Sequence, residues 1–229
     1  MRIATWNLQR LDKRKDQDIL EKLVKLDADI LVLTETNSRI QLKGYNCIST
    51  TSLPAHFNGC FYKDGENRTS ILTKYNVKTK HQTYDSFTSV CVDIDTPLGL
   101  LTVYGTIIGV FGNRQPRFDN DLNGQIGDFK KLITNQHACI AGDFNITFAG
   151  QAWPSAKARQ TLSESFLKHK MINTTAAILG TVDHIVISDS FLEDMDCRFE
   201  TWNQDKGLSD HVGHLLILKR MNEVKITII

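Results

Sequence analysis

The sequence predicts an α/β fold in which strands predominate, with two mostly antiparallel β-sheets packed face to face and helices on their outer faces. Three observations lead there. Strand–helix–strand patterns open and close the chain. A series of short β-type runs separated by turn residues fills the middle. The helical segments carry apolar stripes at the 3.6-residue period, and each stripe needs a sheet face to cover it.

Taken in order, Ile3–Trp6 reads as a short strand. Asp16–Leu26 reads as a helix with its stripe at Ile19, Leu20, Leu23, Val24 and Leu26. Ile30–Leu33 is a fully apolar strand. Short runs follow at Tyr45–Ile48, Gly59–Tyr62, Ser70–Thr73, Val77–His81, Ser89–Ile94 and Leu100–Tyr104. Val90–Ile94 partly alternates, as a half-buried strand should, and Pro97-Leu98-Gly99 marks a hairpin turn. Phe118, Leu122, Ile126, Phe129 and Leu132/Ile133 define a long amphipathic helix. His137–Ala141 is a strand, Ser155–Lys168 a helix, and Val182–Ser188, Cys197–Trp202 and Val212–Leu218 are strands. The β-prone run at 225–229 lies beyond the last expected strand, and the segment 219–229 is open to two readings, an edge strand or a tail.

At 229 residues one substantial core is affordable without covalent staples, and no Pro-, Gly- or Ser-rich linker divides the chain. A single domain over 1–229 is the expectation. The 27 Lys and Arg nearly balance the 26 Asp and Glu, so any attraction to nucleic acid must be local. No run is long enough to span a bilayer, and the N-terminus enters a strand directly, without a signal peptide's apolar core. Five cysteines are scattered singly without metal-site spacing and read as reduced core thiols; the expected location is the cytoplasm.

Chemistry-bearing residues follow apolar runs, where strand ends can assemble a reaction centre. Asn7 ends the first run and Glu35 follows the second; Tyr104 lies within a later one. Gly142-Asp143-Phe144-Asn145 follows His137–Ala141, Asp183 opens another strand, and Ser209-Asp210-His211 precedes the last. Each has an ordinary reading. Asn7 suits a turn amide, Glu35 a helix cap, Asp143 and Asn145 an Asx turn, and Tyr104 a strand tyrosine. Each also suits phosphoryl chemistry. Glu35 offers a hard oxygen to Mg²⁺. Asp143 and Asn145, at i and i+2, face one side of an extended segment. A carboxylate such as Asp183 on one ring nitrogen would fix the tautomer of His211.

In this order the set resembles the endonuclease/exonuclease/phosphatase superfamily, from Arg2 to about Leu218. The resemblance implies the four-layer sandwich and a Mg²⁺-dependent phosphoesterase, with Mn²⁺ as an alternative ion. It also implies a metal held by Glu35, Asn7 and Asp210, and a catalytic set of His211, Asp183, Asp143, Asn145 and Tyr104. Two positions depart from the family pattern. Gln9 stands where many family nucleases have an acid, and Thr106-Ile107 replaces the usual Pro-Asn after Tyr104. Basic and aromatic residues in loops leaving these strand ends, among them Arg14, Arg114, Arg117 and Trp153, fit contacts to phosphate and base. The expected substrate is a nucleic-acid or nucleotide phosphodiester. A small-molecule or lipid phosphoester and an inactive binding module on the same fold are the rivals; no protein partner is evident.

Overall fold

The computed structural model describes residues 1–110, 117–134 and 137–221. In chain order it contains β1 (Arg2–Asn7), α1 (Asp16–Leu26), β2 (Ile30–Asn37), β3 (Asn46–Ser49), β4 (His56–Phe57), β5 (Cys60–Phe61), β6 (Glu66–Thr73), β7 (Asn76–His81), β8 (Ser89–Thr96) and β9 (Gly99–Ile107). Then come α2 (Arg117–Leu132), β10 (Ala138–Asp143), α3 (Ala156–Lys168), β11 (Met171–Asn173), β12 (Asp183–Ser188), α4 (Asp189–Leu192), β13 (Met195–Trp202) and β14 (Gly213–Arg220).

Two six-stranded sheets run in the orders β13-β14-β1-β2-β6-β3 and β11-β12-β10-β9-β8-β7. Each has one central parallel pair, β1 with β2 and β9 with β10, and the remaining pairs are antiparallel. A parallel pair needs a crossover, which α1 supplies for the first sheet; α2 lies between the strands of the second. The inner faces interdigitate through Ile3, Val32, Ile71 and Leu216 from one sheet and Val90, Val103, Ala141 and Ile185 from the other. The outer faces are covered by Ile19, Leu23 and Leu26 of α1 on one side. On the other, α2 contributes Phe118, Leu122 and Phe129, and α3 contributes Leu162 and Phe166. Helix, sheet, sheet, helices: the predicted four layers are present.

The differences from the sequence reading are local. Val24, assigned to the buried stripe of α1, is exposed. Cys47 and Cys197 are exposed free thiols rather than core residues, while Cys91 and Cys139 are buried. The Gly59–Tyr62 run reduces to a two-residue strand in the small β4–β5 hairpin. Strand β11 escaped the sequence reading because three residues are too few to show a period. Lys219 and Arg220 complete β14, opposite Asp196 and Met195, and residues 222–229 lie outside the described residues.

Strand direction decides where the polar ends meet. Parallel β1 and β2 finish at the same edge, and parallel β9 and β10 finish together. Antiparallel β12 and β14 begin beside the ends of their neighbours: Asp183 lies opposite Asp143, and His214 opposite Thr5. One glycine makes the end of β10 possible. Gly142 has φ +136, and a Cβ there would lie 1.9 Å from the Thr106 carbonyl oxygen. Gly142→Ala should therefore destabilise the protein by more than about 4 kcal/mol, because backbone on β9 must move. A urea unfolding midpoint equal to that of the unmodified protein would contradict so close an approach.

Candidate active site

Asp143 closes β10 and is buried. Its Oδ1 accepts the Asn145 backbone N–H at 2.9 Å, an Asx turn. Its Oδ2 accepts from Asn7 Nδ2 at 3.0 Å and, more distantly, from Asn145 Nδ2 at 3.4 Å. The ordinary reading of an Asx turn is thus present, and the same turn aims the carboxylate at Asn7. Burial, and after it the charge of Asp183, pushes the Asp143 carboxyl up to about 8; Glu35 adds to the rise, while His211 and the Asn145 N–H oppose it.

His211 meets Asp183 through Nδ1 to Oδ2 at 2.6 Å, and its Nε2 lies 3.8 Å from Asp210 Oδ1. Burial alone would lower the imidazole's pKa. The charge and hydrogen bond of Asp183, with Asp143 and Asp210 behind them, outweigh that and push it up to about 10. The turn carrying this histidine is stapled to the first strand. Ser209 Oγ donates to the Asn7 carbonyl at 2.7 Å and accepts the His211 N–H at 3.2 Å. Trp6 Nε1 and Asn203 Nδ2 both donate to the His211 carbonyl.

Glu35, partly buried near the end of β2, has a left-handed φ of +44. A non-glycine residue held there is strained, and such strain is concentrated at functional positions. Burial raises its carboxyl pKa; the neighbouring charge of Asp210 adds to the rise, and His211, Arg10 and Asn7 oppose it. Asp210 is half exposed, and its backbone N–H is held by Gln9 Oε1 at 3.0 Å. Gln9 was not assigned a role in the sequence. Its own N–H donates to Asn7 Oδ1 at 2.8 Å, so one residue clips the Asp210 turn to the Asn7 turn.

Asn7, Glu35, Asp143, Asn145, Asp183, Asp210 and His211 thus converge on one edge, and one Asp143, one Asp183 and one His211 ligand atom all lie within 4.8 Å of one another. Tyr104 does not join them, which corrects the sequence reading. It pairs with Ile140, three residues below Asp143 along β10, and is fully buried. Its hydroxyl lies in the layer under α2, donating to Asp128 Oδ2 at 2.8 Å, with Ser89 Oγ 2.9 Å away. Its place on a strand was legible; the face it occupies was not.

Arg14 and Trp153 are exposed on loops at the same edge, and Arg117 opens α2 beside a 300 Å³ cavity that also contains Arg68 and Tyr84. Arg114 lies outside the described residues. Two other cations, Arg10 after β1 and Arg159 in the first turn of α3, are internal braces. Arg10 pairs with buried Glu66 at 2.9 Å, and Arg159 binds the Thr147 carbonyl at 2.5 Å and the Gly150 carbonyl at 3.1 Å. A second cavity, of 380 Å³, adjoins Asp183, Asp210 and His211 and is walled by Leu179, Val182 and Val212. A larger one, of 760 Å³, lies at the opposite edge near Leu98, Met195 and Arg220 and contains none of these groups.

His184, beside Asp183, faces away from the site, as its strand position implied. It is fully buried, donates from Nε2 to the Ile146 carbonyl at 2.9 Å, and meets Thr175 Oγ1 through Nδ1 at 2.7 Å. It thereby anchors the segment just after Asn145.

Comparison with known proteins places the chain among phosphoesterase folds. Residues 4–211 match the model of the endonuclease/exonuclease/phosphatase family. No match was found among curated protein sequences. Among solved structures, the chain resembles the endonuclease domain of TRAS1, a telomere-specific non-LTR retrotransposon, at 16% identity and a TM-score of 0.73, covering 96% of this chain and 99% of that one. A 3′ phosphatase from Neisseria bound to product DNA hairpin gives 14% and 0.69, covering 96% and 99%. An AP endonuclease from Archaeoglobus fulgidus gives 13% and 0.69, also covering 96% and 99%. At these identities the likeness is one of fold.

Burial lowers the His184 pKa from 6.5 to about 4. Between these values the unfolded chain binds the proton and the folded one does not. The contribution is therefore fully present above pH 6.5 and is lost as pH falls toward 4, by up to about 3 kcal/mol. Urea midpoints measured from pH 7 to 4.5 should fall less steeply for His184→Gln than for the unmodified protein. Parallel pH dependences would show that His184 is not buried in the neutral form.

Proposed function

The chain belongs to the endonuclease/exonuclease/phosphatase family, a family of metal-dependent phosphoester hydrolases. We propose that it is a Mg²⁺-dependent phosphodiesterase acting on nucleic acid or nucleotides. The observation that carries this reading is the convergence of Glu35, Asp143, Asp183 and Asp210 around a single imidazole, with Asp143 held by the amide of Asn7. Residues 1–229 are read as one domain serving this one site.

The donor set fits a hard divalent cation. Two carboxylates at the mouth, Glu35 and Asp210, raise each other's electrostatic cost, and the nearby donors are oxygens rather than thiols. Glu35, Asp210 and the Asn7 amide oxygen would hold the ion, which when bound neutralises charge on the phosphoryl group and polarises it. Asp143, held by the Asn145 N–H and the Asn7 amide, orients a water for in-line attack on phosphorus and takes its proton. The new P–O bond forms as the bond to the departing oxygen breaks, and that oxygen takes a proton from solvent. His211, kept cationic by Asp183, donates from Nε2 to a non-bridging phosphoryl oxygen and keeps its proton. Asn145, whose Nδ2 donates to the Ile108 carbonyl at 2.8 Å, fixes the turn that aims Asp143.

The named neighbours support a nucleic-acid substrate: one is an endonuclease, one an AP endonuclease and one a phosphatase bound to DNA. Exposed Trp153 at the same edge supplies a stacking surface for an unpaired base.

The test is a hydrolysis panel of single-stranded DNA, RNA, abasic DNA, dinucleotides, a phosphomonoester and a phosphocholine lipid, each with Mg²⁺ and with a chelator. Chelator-sensitive cleavage of a nucleic-acid or nucleotide diester is expected. Turnover confined to the monoester or the lipid would replace this reading with a phosphatase or lipid phosphodiesterase. Glu35→Gln should weaken Mg²⁺ binding in calorimetry and lower the rate on the order of 10²-fold or more, since several kcal/mol of charge stabilisation are lost. Unchanged Mg²⁺ affinity in that variant would remove Glu35 from the metal site.

A further inference from the structure

A second imidazole lies beneath the Asp183–His211 pair, and the mechanism does not use it. His214 is fully buried on β14, between Thr5 of β1 and Thr201 of β13, with the Phe199 ring 5.6 Å away. Its Nε2 lies 2.7 Å from Thr181 Oγ1. The Thr181 hydroxyl donates to the Asp183 carbonyl at 3.2 Å, so the threonine oxygen accepts the imidazole's Nε2 proton. Burial lowers the pKa of this histidine, which is therefore neutral.

The placement matters more than the bond itself. Thr181 stands two residues before Asp183, and His214 three residues after His211. The segment 181–183 enters the second sheet, and the segment 211–214 enters the first. Two side-chain bonds join the same two segments: His211 to Asp183 at 2.6 Å at the mouth, and His214 to Thr181 at 2.7 Å underneath. The far side of each segment is also fixed. The Val182 carbonyl accepts from Phe144 N–H at 2.8 Å. Gly213 lies so close to Trp202 that a Cβ would meet the indole at 2.1 Å.

We propose that His214 and Thr181 are positioning residues, forming a cross-sheet brace that sets the separation at which Asp183 holds His211. The proposal rests on reading Asp183 and His211 as a catalytic pair. An apolar side chain at position 214 would fill the space between the sheets, and would do so without leaving the imidazole Nδ1 unpartnered. What it would not do is fix a distance, because apolar contacts are non-directional whereas a hydrogen bond holds its partners within tenths of an ångström. Pairs of groups that must meet at one geometry depend on such support.

The test compares the unmodified protein with Thr181→Val, Thr181→Ser and His214→Leu. Thr181→Val exchanges a hydroxyl for a methyl of similar size, so it carries the test if His214→Leu does not fold. Two quantities are read: the NMR resonance of the His211 Nδ1 proton in labelled protein, and kcat and KM for a small chromogenic phosphodiester with Mg²⁺. Thr181→Val should shift or broaden that resonance and lower kcat about 10–100-fold with KM nearly unchanged, and Thr181→Ser should restore both. A Thr181→Val protein with an unmoved resonance and unmodified kcat would overturn the brace. If the unmodified protein hydrolyses no phosphodiester, the proposed function falls, and the resonance comparison alone decides the brace.

Discussion

Asp143 is buried at the junction of the two sheets, and a carboxylate there must be held against the cost of leaving water, which is several kcal/mol even after relaxation. Most of the site's architecture answers that cost. Two donors serve the carboxylate directly, the Asn145 N–H and the Asn7 amide, and the His211 imidazolium supplies the compensating charge. Each answer brings its own requirement. Asn145 can donate only from a tight turn, and its φ of +50 is the backbone strain of that turn. Asn7 can reach only because β1 ends at the same level as β10. Asp183, bonded to His211, contributes most to raising the imidazole's pKa against burial. Metal binding by Glu35 and Asp210 would relieve the remaining repulsion, so the same electrostatic constraint links the acid network to the cofactor.

Much of this was legible in the sequence. An acid or amide at the end of an apolar run singled out Asn7, Glu35 and Asp143, and one at the start of such a run or just before it singled out Asp183 and the Asp210–His211 turn. The layers were legible too, because the stripes of α1 and α2 needed faces to cover. What failed was information that lies between segments. Tyr104 was identified correctly as a strand residue, but strand parity and the position of α2 turn its hydroxyl toward Asp128. Val24 sits on a plausible helical stripe, yet it faces solvent. Arg10 and Arg159 follow the site residues Asn7 and Asn145 closely in sequence; only the fold shows Glu66 and the Thr147 carbonyl as their partners.

Those two arginines change the picture of substrate contact. Cations spent on bracing loops hold the mouth's shape rather than track a phosphate backbone, while Arg14 and Trp153 stay exposed. The departure at Gln9 has a similar resolution. Where an acid would add negative charge to an already acidic mouth, the glutamine uses its backbone N–H and its side-chain oxygen to join the Asn7 and Asp210 turns. It serves geometry there, and the repulsion at the mouth is not increased.

The central claim is that Asp183 acts through His211, and that the two form one functional unit. A double-mutant cycle on kcat/KM with Asp183→Asn and His211→Ala tests it most directly. If the claim holds, the double variant is scarcely worse than His211→Ala alone, because removing the imidazole removes what Asp183 acts upon. Losses that add across the cycle would mean that the two residues contribute separately, and would contradict a site in which the carboxylate works only through the imidazole.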